Sequence, residues 1–337
     1  MRAGIIGYGL AGRYFHAPNL LGAGFEIAAV CARSLERKGQ VHDDFPGAVV
    51  VNSVEELVAE NLDLVVVAST NDVHATHARM ALDAGIPTVV DKPMGRDYYE
   101  TAEIFDLSES RGVPVTVFFN RLWDSDTLTI KKALSTGELG EVIRYESRFE
   151  RYRPVLNPGA WRENVDPESG GGLLLDLQTH LVAIALHLFG PAQLSHASIK
   201  SVRGGADDDV VLTLKHESGV DSYLAASAVI GSPGPRVRLN TTEGTLIFSQ
   251  LDKQEDLLRK GYRPIGGEWS DATAVTSEAR VIAGEKSFGY PALPGNYAAF
   301  YSAVKDALLA GQSMPVTRSQ ALAVAEILDQ AAELVSY

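Results

Sequence analysis

Three side chains in this sequence stand where chemistry can be done. Lys92 belongs to the run Val89-Val90-Asp91-Lys92-Pro93-Met94, directly after a short apolar segment. An ammonium group at the carboxyl end of a buried strand can polarise a substrate oxygen or help move its proton. A plain solvated lysine has the same address. Asp176 and His180 lie in Gly170-Gly171-Gly172-Leu173-Leu174-Leu175-Asp176-Leu177-Gln178-Thr179-His180. They are four apart, so a helix sets them on one face. From Leu173 to Phe189 the sequence is apolar nearly all round, which predicts a buried helix. An unpaired buried carboxylate is costly, so Asp176 must serve a neighbour, and the imidazole one turn on is the natural one. The two read either as a base with its orienting acid or as a structural pair inside a core. His187, on nearly the same stripe, reads as a core or helix-end histidine.

The stretch that would hold a cofactor against these groups opens the chain. Ala3–Ile6 make an apolar strand, Gly7, Gly9 and Gly12 follow in the spacing G-x-G-x-x-G, and a helical stretch runs from Leu10 to Leu21. The first glycine permits a tight turn, the second lets a pyrophosphate approach the backbone, and the third lets the helix pack on the strand. The helix start adds unpaired N–H groups and a positive dipole end. Gly7, Gly9, Leu10, Ala11 and Gly12 are therefore the expected dinucleotide cradle, against a glycine-rich turn without a ligand. Ser69, Thr70 and Asn71, ending the fourth strand, are expected at the ribose or pyrophosphate, with a helix N-cap the other role open to Asn71. His74 near that helix start, with Asp91, Lys92 and Pro93, completes the expected cofactor loops. The second strand ends Ala32-Arg33-Ser34, with Arg37 one turn on. An acid there would bind the ribose 2′-hydroxyl of NAD. Two arginines and a hydroxyl stand in its place, so Arg33, Ser34 and Arg37 predict NADP over NAD; a solvated helix start is the alternative.

The elements around these motifs predict an α/β protein in two parts. Residues 1–120 alternate short valine-rich strands with helices, the pattern of a doubly wound Rossmann sheet whose ligand crevice lies at the carboxyl ends of its strands. Ser53 with Glu56, and Asp97 with Glu100, mark helix starts; Gly85 and Gly112 mark helix ends. Residues 121–337 predict an α+β unit with a large, mostly antiparallel open sheet. There Ile143, Tyr145, Ser147 and Phe149 alternate with Arg144, Glu146, Arg148 and Glu150, giving one wet face. Further strands are expected at 194–202, 210–216, 221–229, 236–241 and 245–248, and closing helices at 296–309 and 319–335. The polar stretch 252–289, broken by Gly and Pro, reads as a surface excursion.

Composition bounds the function. The 337 residues carry a net charge of −13, which argues against nucleic acid as a partner. Cys31 is the only cysteine and suits a reducing compartment. No secretory leader pattern and no membrane-length apolar run is present, so a cytoplasmic chain is expected. No metal ligand set is expected.

Taken together, GIIGYGLAG, VVDKP and GGGLLLDLQTH resemble the glucose–fructose oxidoreductase/inositol dehydrogenase (Gfo/Idh/MocA) family, over essentially the whole chain. GYGLAGRYFHAPNL, NRLWDSDTLTIKKALSTGELG, RFERYRP, HLFGPA and QEDLLRKG are similar to its NADP-dependent scyllo-inositol dehydrogenase branch. The resemblance implies that Lys92, Asp176 and His180 form a catalytic trio. His180 would take the hydroxyl proton, Asp176 would fix its tautomer, and Lys92 would hold the same oxygen while hydride goes to the nicotinamide. It also implies a cis Lys92–Pro93 bond, a polyol or sugar substrate, and a homodimer or homotetramer formed through the C-terminal sheet. Asn120, Arg121, Trp123 and Asp124 at the junction of the two parts, with Tyr152, Trp161 and Arg162 from the second, are the expected substrate contacts beside the trio. Three departures stand out: Asp91 for glutamate, Gln178 for glycine, and Ala183 where many members carry an aspartate. An NAD-dependent glycosidase of the same family and a non-catalytic sugar or cofactor sensor are the rival readings.

Overall fold

The computed structural model describes residues 1–165, 169–274 and 279–335. The first sheet contains β1 (Arg2–Ile6), β2 (Glu26–Cys31), β3 (Val49–Val51), β4 (Leu64–Val67), β5 (Thr88–Val90) and β6 (Val115–Val117). Their order is β3-β2-β1-β4-β5-β6, and every neighbouring pair is parallel. Ile5, Val30, Leu64–Val67, Val89, Val90 and Val117 are fully buried, which explains runs that are apolar without alternation. The order reverses between β1 and β4, and that switch point opens the crevice into which the strand ends deliver their loops. The anticipated helix starts are formed: Ser53 accepts the Glu56 N–H at 3.2 Å and Asp97 the Glu100 N–H at 2.7 Å.

The second sheet contains β7 (Val142–Glu150), β8 (Ala192–Lys200), β9 (Asp209–His216), β10 (Asp221–Ser227), β11 (Val237–Thr241), β12 (Gly244–Phe248), β13 (Ala279–Ala283) and β14 (Lys286–Tyr290). Its order is β14-β13-β12-β11-β7-β10-β9-β8, antiparallel except where β7 and β10 run side by side. Along β7 the inward face carries Tyr145, Ser147 and Phe149. Ile143, expected there too, is 58% exposed.

Two expectations are corrected. The stretch 252–289 is not a mere excursion: it holds helices Gln254–Arg259 and Gly266–Ala274, all of β13 and most of β14. Strands with one wet face share much of the composition of loops, and that hid them. The closing helices, Ala298–Ala310 and Arg318–Val335, also do more than complete the second part. Phe300 packs on Phe118 at 4.9 Å, Tyr301 bonds His16 at 2.5 Å, and Asp329 accepts the Tyr98 N–H at 2.8 Å. Both helices thus clamp the second sheet's half to the first.

Candidate active site

The glycine turn has the shape its spacing demands. Gly7 sits at φ +94°, and a Cβ there would lie 2.7 Å from the Ala68 carbonyl oxygen. A Cβ on Gly12 would strike the Gly7 carbonyl. A Cβ on Gly9 would meet nothing within 4 Å. The outer two glycines are therefore required by the turn itself, whereas Gly9 leaves its backbone open for a pyrophosphate. The helix begins with π-helical turns over Gly12–His16, with Leu10 exposed and Ala11 half-buried at the mouth. At the end of β2, Arg33 and Ser34 are exposed, and among the described residues Arg33 has no ion-pair partner. Ser34 caps the next helix by accepting the Arg37 N–H at 3.2 Å, and Arg37 donates to Gln40 at 2.8 Å. These residues fit a dinucleotide, and Arg33 is the free cation among them.

Four expected cofactor contacts instead brace the loops. His74 is buried with Nδ1 2.8 Å from the Pro93 carbonyl and Nε2 3.1 Å from that of Ser69, so both ring nitrogens are occupied by protein. His77 reaches the Ser69 hydroxyl at 2.9 Å; Thr70 remains exposed. Asn71 is no helix cap: its Nδ2 donates across the molecule to the Gly170 carbonyl at 2.9 Å. Asp91 is buried and accepts the Lys92 backbone N–H at 2.8 Å, so its shorter arm still reaches backbone. Burial alone would raise the Asp91 pKa, but His16, Lys92 and His74 hold it well below the usual carboxylate range. The Lys92–Pro93 bond is cis.

The second signature arrives from the other side of the crevice. A Cβ on Gly172, at φ +87°, would run into the Asp207 carboxylate, which accepts the Leu174 N–H at 2.8 Å and so ties down the helix start. Leu174–Gln178 then form a π-helical turn before helix Thr179–Phe189. Lys92 reaches into this wider turn. Its Nζ donates to the Asp176 carbonyl at 2.7 Å and to Asp176 Oδ1 at 2.6 Å. Arg162 Nε stands 3.4 Å from the same Oδ1, with its guanidinium 4.4 Å above the Trp161 ring. Burial pushes the Asp176 pKa up, yet Lys92 and Arg162 outweigh it and hold the group below the ordinary value.

Asp176 therefore serves Lys92 and not His180. An ionised carboxylate gains more from two cations than from a neutral imidazole. His180 is buried, and neither ring nitrogen has a protein partner among the described residues. Burial first, then Lys92, Arg121, Arg236 and Arg162, press its pKa well below the usual histidine value. The imidazole is thus neutral, a proton acceptor set among cations. Phe149 lies edge-on 6.3 Å from it, between the guanidinium groups of Arg121 at 5.2 Å and Arg236 at 3.9 Å.

The remaining expected substrate contacts divide. Asn120 is buried, and its amide makes no hydrogen bond among the described residues. Arg121 and Asp124 are committed to the interior. Arg121 donates to Glu255 at 2.5 Å and to the Tyr297 hydroxyl at 3.0 Å, and Tyr297 in turn donates to the fully buried Asp124. Trp123 packs edge-on against Phe300 at 5.3 Å. Tyr152 is 62% exposed. Gln178 faces away from the crevice, its Nε2 donating to the Val210 carbonyl of β9 at 2.9 Å. Phe149, Arg151 and Arg236 were missed. Period two along β7 carries Phe149 and then Arg151 inward, a usable signal; only sheet order brings Arg236 beside them.

A glycine-turned parallel sheet with a lysine from one half bonded to a helix carboxylate of the other defines an NAD(P)-binding oxidoreductase. The comparisons agree. Residues 1–119 match the oxidoreductase family with an NAD-binding Rossmann fold, and residues 127–247 match the GFO/IDH/MocA C-terminal domain. The chain belongs to the GFO/IDH/MocA family. It is 35% identical to the uncharacterized oxidoreductase YdgJ of Escherichia coli (98% of this chain, 94% of that protein). It is 31% identical to the scyllo-inositol 2-dehydrogenase (NADP(+)) IolW of Bacillus subtilis (99% and 93%). The solved structure of YvaA from Bacillus subtilis is similar with a TM-score of 0.87 at 30% identity, covering 99% of this chain and 97% of that one. Among the described residues no helix is long and apolar enough to cross a membrane.

Proposed function

We propose that the chain is an NADP-dependent dehydrogenase acting on a secondary hydroxyl, or the matching ketone, of a cyclitol or sugar. The observation that carries this is the Lys92–Asp176 contact at 2.6 Å with neutral His180 alongside. Lys92 donates a hydrogen bond to the substrate oxygen and stabilises negative charge growing there. His180 accepts the hydroxyl proton in oxidation and returns it in reduction. Asp176 positions the Lys92 ammonium. When bound, the nicotinamide supplies the hydride chemistry, and Gly7, Gly9 and Gly12 with Arg33 and Ser34 would hold it. IolW is named for NADP(+) and scyllo-inositol, and exposed Arg33 in place of an acid supports the same cofactor here.

In this reading residues 1–120 carry the cofactor and 121–337 the substrate, in a cytoplasmic enzyme. Tyr223 and Ile282, 40% and 39% exposed, lie on the outer face of the second sheet, through which two or four copies assemble. The test is absorbance at 340 nm with inositol isomers and aldoses and either cofactor. Turnover with NADP is expected, reduced by orders of magnitude in Lys92→Ala and in His180→Ala with the chain still folded. No turnover of any polyol, or near-wild-type rates in both variants, overturns the reading.

A further inference from the structure

Among the described residues, one cation of the crevice lacks the carboxylate partner that its neighbours have. Asp176 is shared by Lys92 at 2.6 Å and Arg162 at 3.4 Å. Arg121 is matched by Glu255 at 2.5 Å, and Arg236 has Asp126 at 3.7 Å. Arg151 has nothing. Beyond β7 the inward alternation continues from Phe149 to Arg151, whose N–H pairs with the Ser227 carbonyl at 3.0 Å while Tyr152 turns outward. Arg151 is half-buried, its Nε is buried without a partner, and no carboxylate among the described residues pairs with it. The nearby acids are already taken. Glu163 is held by Arg203 at 3.0 Å, Asp208 by Arg203 at 2.8 Å, and Asp207 caps Leu174. The charged groups acting on Arg151 are Arg153, Asp176, Glu163 and Arg203, and burial outweighs them to lower its pKa. A guanidinium taken partly out of water without a counter-ion is costly unless a ligand completes it.

We propose that the substrate bears an oxyanion, a carboxylate or a phosphate ester on its polyhydroxylated body, received by Arg151 and Arg162 beside Asp176. This rests on the dehydrogenase reading and narrows its substrate class to acidic sugars or cyclitols. The fork of donors on each guanidinium matches either anion.

Matched alcohols that differ only in charge test it on the full chain with NADP. Glucose is compared with glucuronate for the carboxylate and with glucose 6-phosphate for the phosphate, and myo-inositol with inositol 1-phosphate. Each is followed by turnover at 340 nm and by calorimetric binding to the NADP-loaded protein. One anionic partner is expected to exceed its neutral counterpart about tenfold or more in kcat/KM or affinity. Which arm responds identifies the anion. Arg151→Gln is expected to collapse that ratio about tenfold, and Arg151→Lys to restore part of it. Equal or better handling of the neutral alcohols by the wild type overturns the inference, as does an unchanged ratio in a folded Arg151→Gln. If no alcohol is oxidised, the dehydrogenase reading falls, while the calorimetric ratio still decides the anion site.

Discussion

The proposed preference for NADP turns on Arg33, and its expected size follows from where that side chain sits. Arg33 is exposed at the carboxyl end of β2 and unpaired among the described residues, whereas Arg37 is tied to Gln40 and the Ser34 oxygen caps a helix. A charge-assisted contact to a 2′-phosphate is worth ~1.5–3 kcal/mol. Full exposure puts Arg33 at the lower end, so Arg33→Ala should cut the NADP-over-NAD ratio of kcat/KM about tenfold. Arg33→Asp goes further. It removes the attraction and sets a carboxylate against the phosphate, adding ~1 kcal/mol per unit charge at contact distance in water, while restoring the acid that grips a free 2′-hydroxyl. The preference should then invert by roughly a hundredfold or more. Because the contact is exposed, the wild-type preference should also shrink between ~0.1 and ~1 M salt, where the Debye length falls from ~10 to ~3 Å. The assay is initial rate against each cofactor at saturating substrate, at both salt levels. An unchanged ratio in Arg33→Asp refutes the reasoning outright.

Three further predictions concern the second signature. Asp176→Asn leaves Lys92 and Arg162 facing each other across a partly buried gap, so stability should fall by ~2–4 kcal/mol and kcat by ~100-fold; a calorimetric Tm within a degree of wild type would contradict the pairing. Gly172→Ala meets both a positive φ and the Asp207 carboxylate, and should cost several-fold more in urea unfolding than Gly204→Ala, which has positive φ but open space. Similar costs would show the close approach to be unimportant. Burial raises the Asp207 carboxyl from 3.8 to about 6, so the folded state holds more protons than the unfolded one between those values. Its contribution to stability therefore grows as pH falls from about 6 to about 4, by at most ~3 kcal/mol. Asp207→Asn should be more stable than wild type at pH 7.5 and lose that difference by pH 4, measured by urea melts; a constant offset across pH would sink the assignment.

Much of this molecule was written in local pattern. Glycine spacing, valine runs and capping pairs are decided within a few residues, and those features appear where the sequence put them. The trio was legible as a set of residue types, but its wiring was not. Spacing assigned Asp176 to His180 because both lie on one helix, and sequence holds no measure of how near Lys92 comes from 84 residues away. Arg121 and Asp124 looked like polar cleft residues. Their partners, Glu255 and Tyr297, come from stretches 134 and 173 residues downstream, and the first of these reads in sequence as a surface excursion. Strands β13 and β14 were hidden because half-wet strands and loops share a composition.

The altered wiring changes what His180 can do. A carboxylate at the far ring nitrogen would stabilise imidazolium and make histidine a strong base. Here that carboxylate is spent on Lys92, and the cations around His180 oppose its charging. Such an imidazole accepts a proton only if the substrate oxygen has been acidified first, which is the part proposed for Lys92 at the same atom. The two groups are thus useful only together, and each is carried by a different half of the chain. Their meeting depends on contacts that cross between the halves: Asn71 on the Gly170 carbonyl, and closing helices that reach back to His16 and Tyr98. An anionic substrate would enter the same balance, because its charge beside Arg151 and Arg162 offsets the field that keeps His180 neutral. Binding the correct substrate would then itself strengthen the base that acts on it, a form of selectivity that neutral alcohols in the same crevice would not elicit.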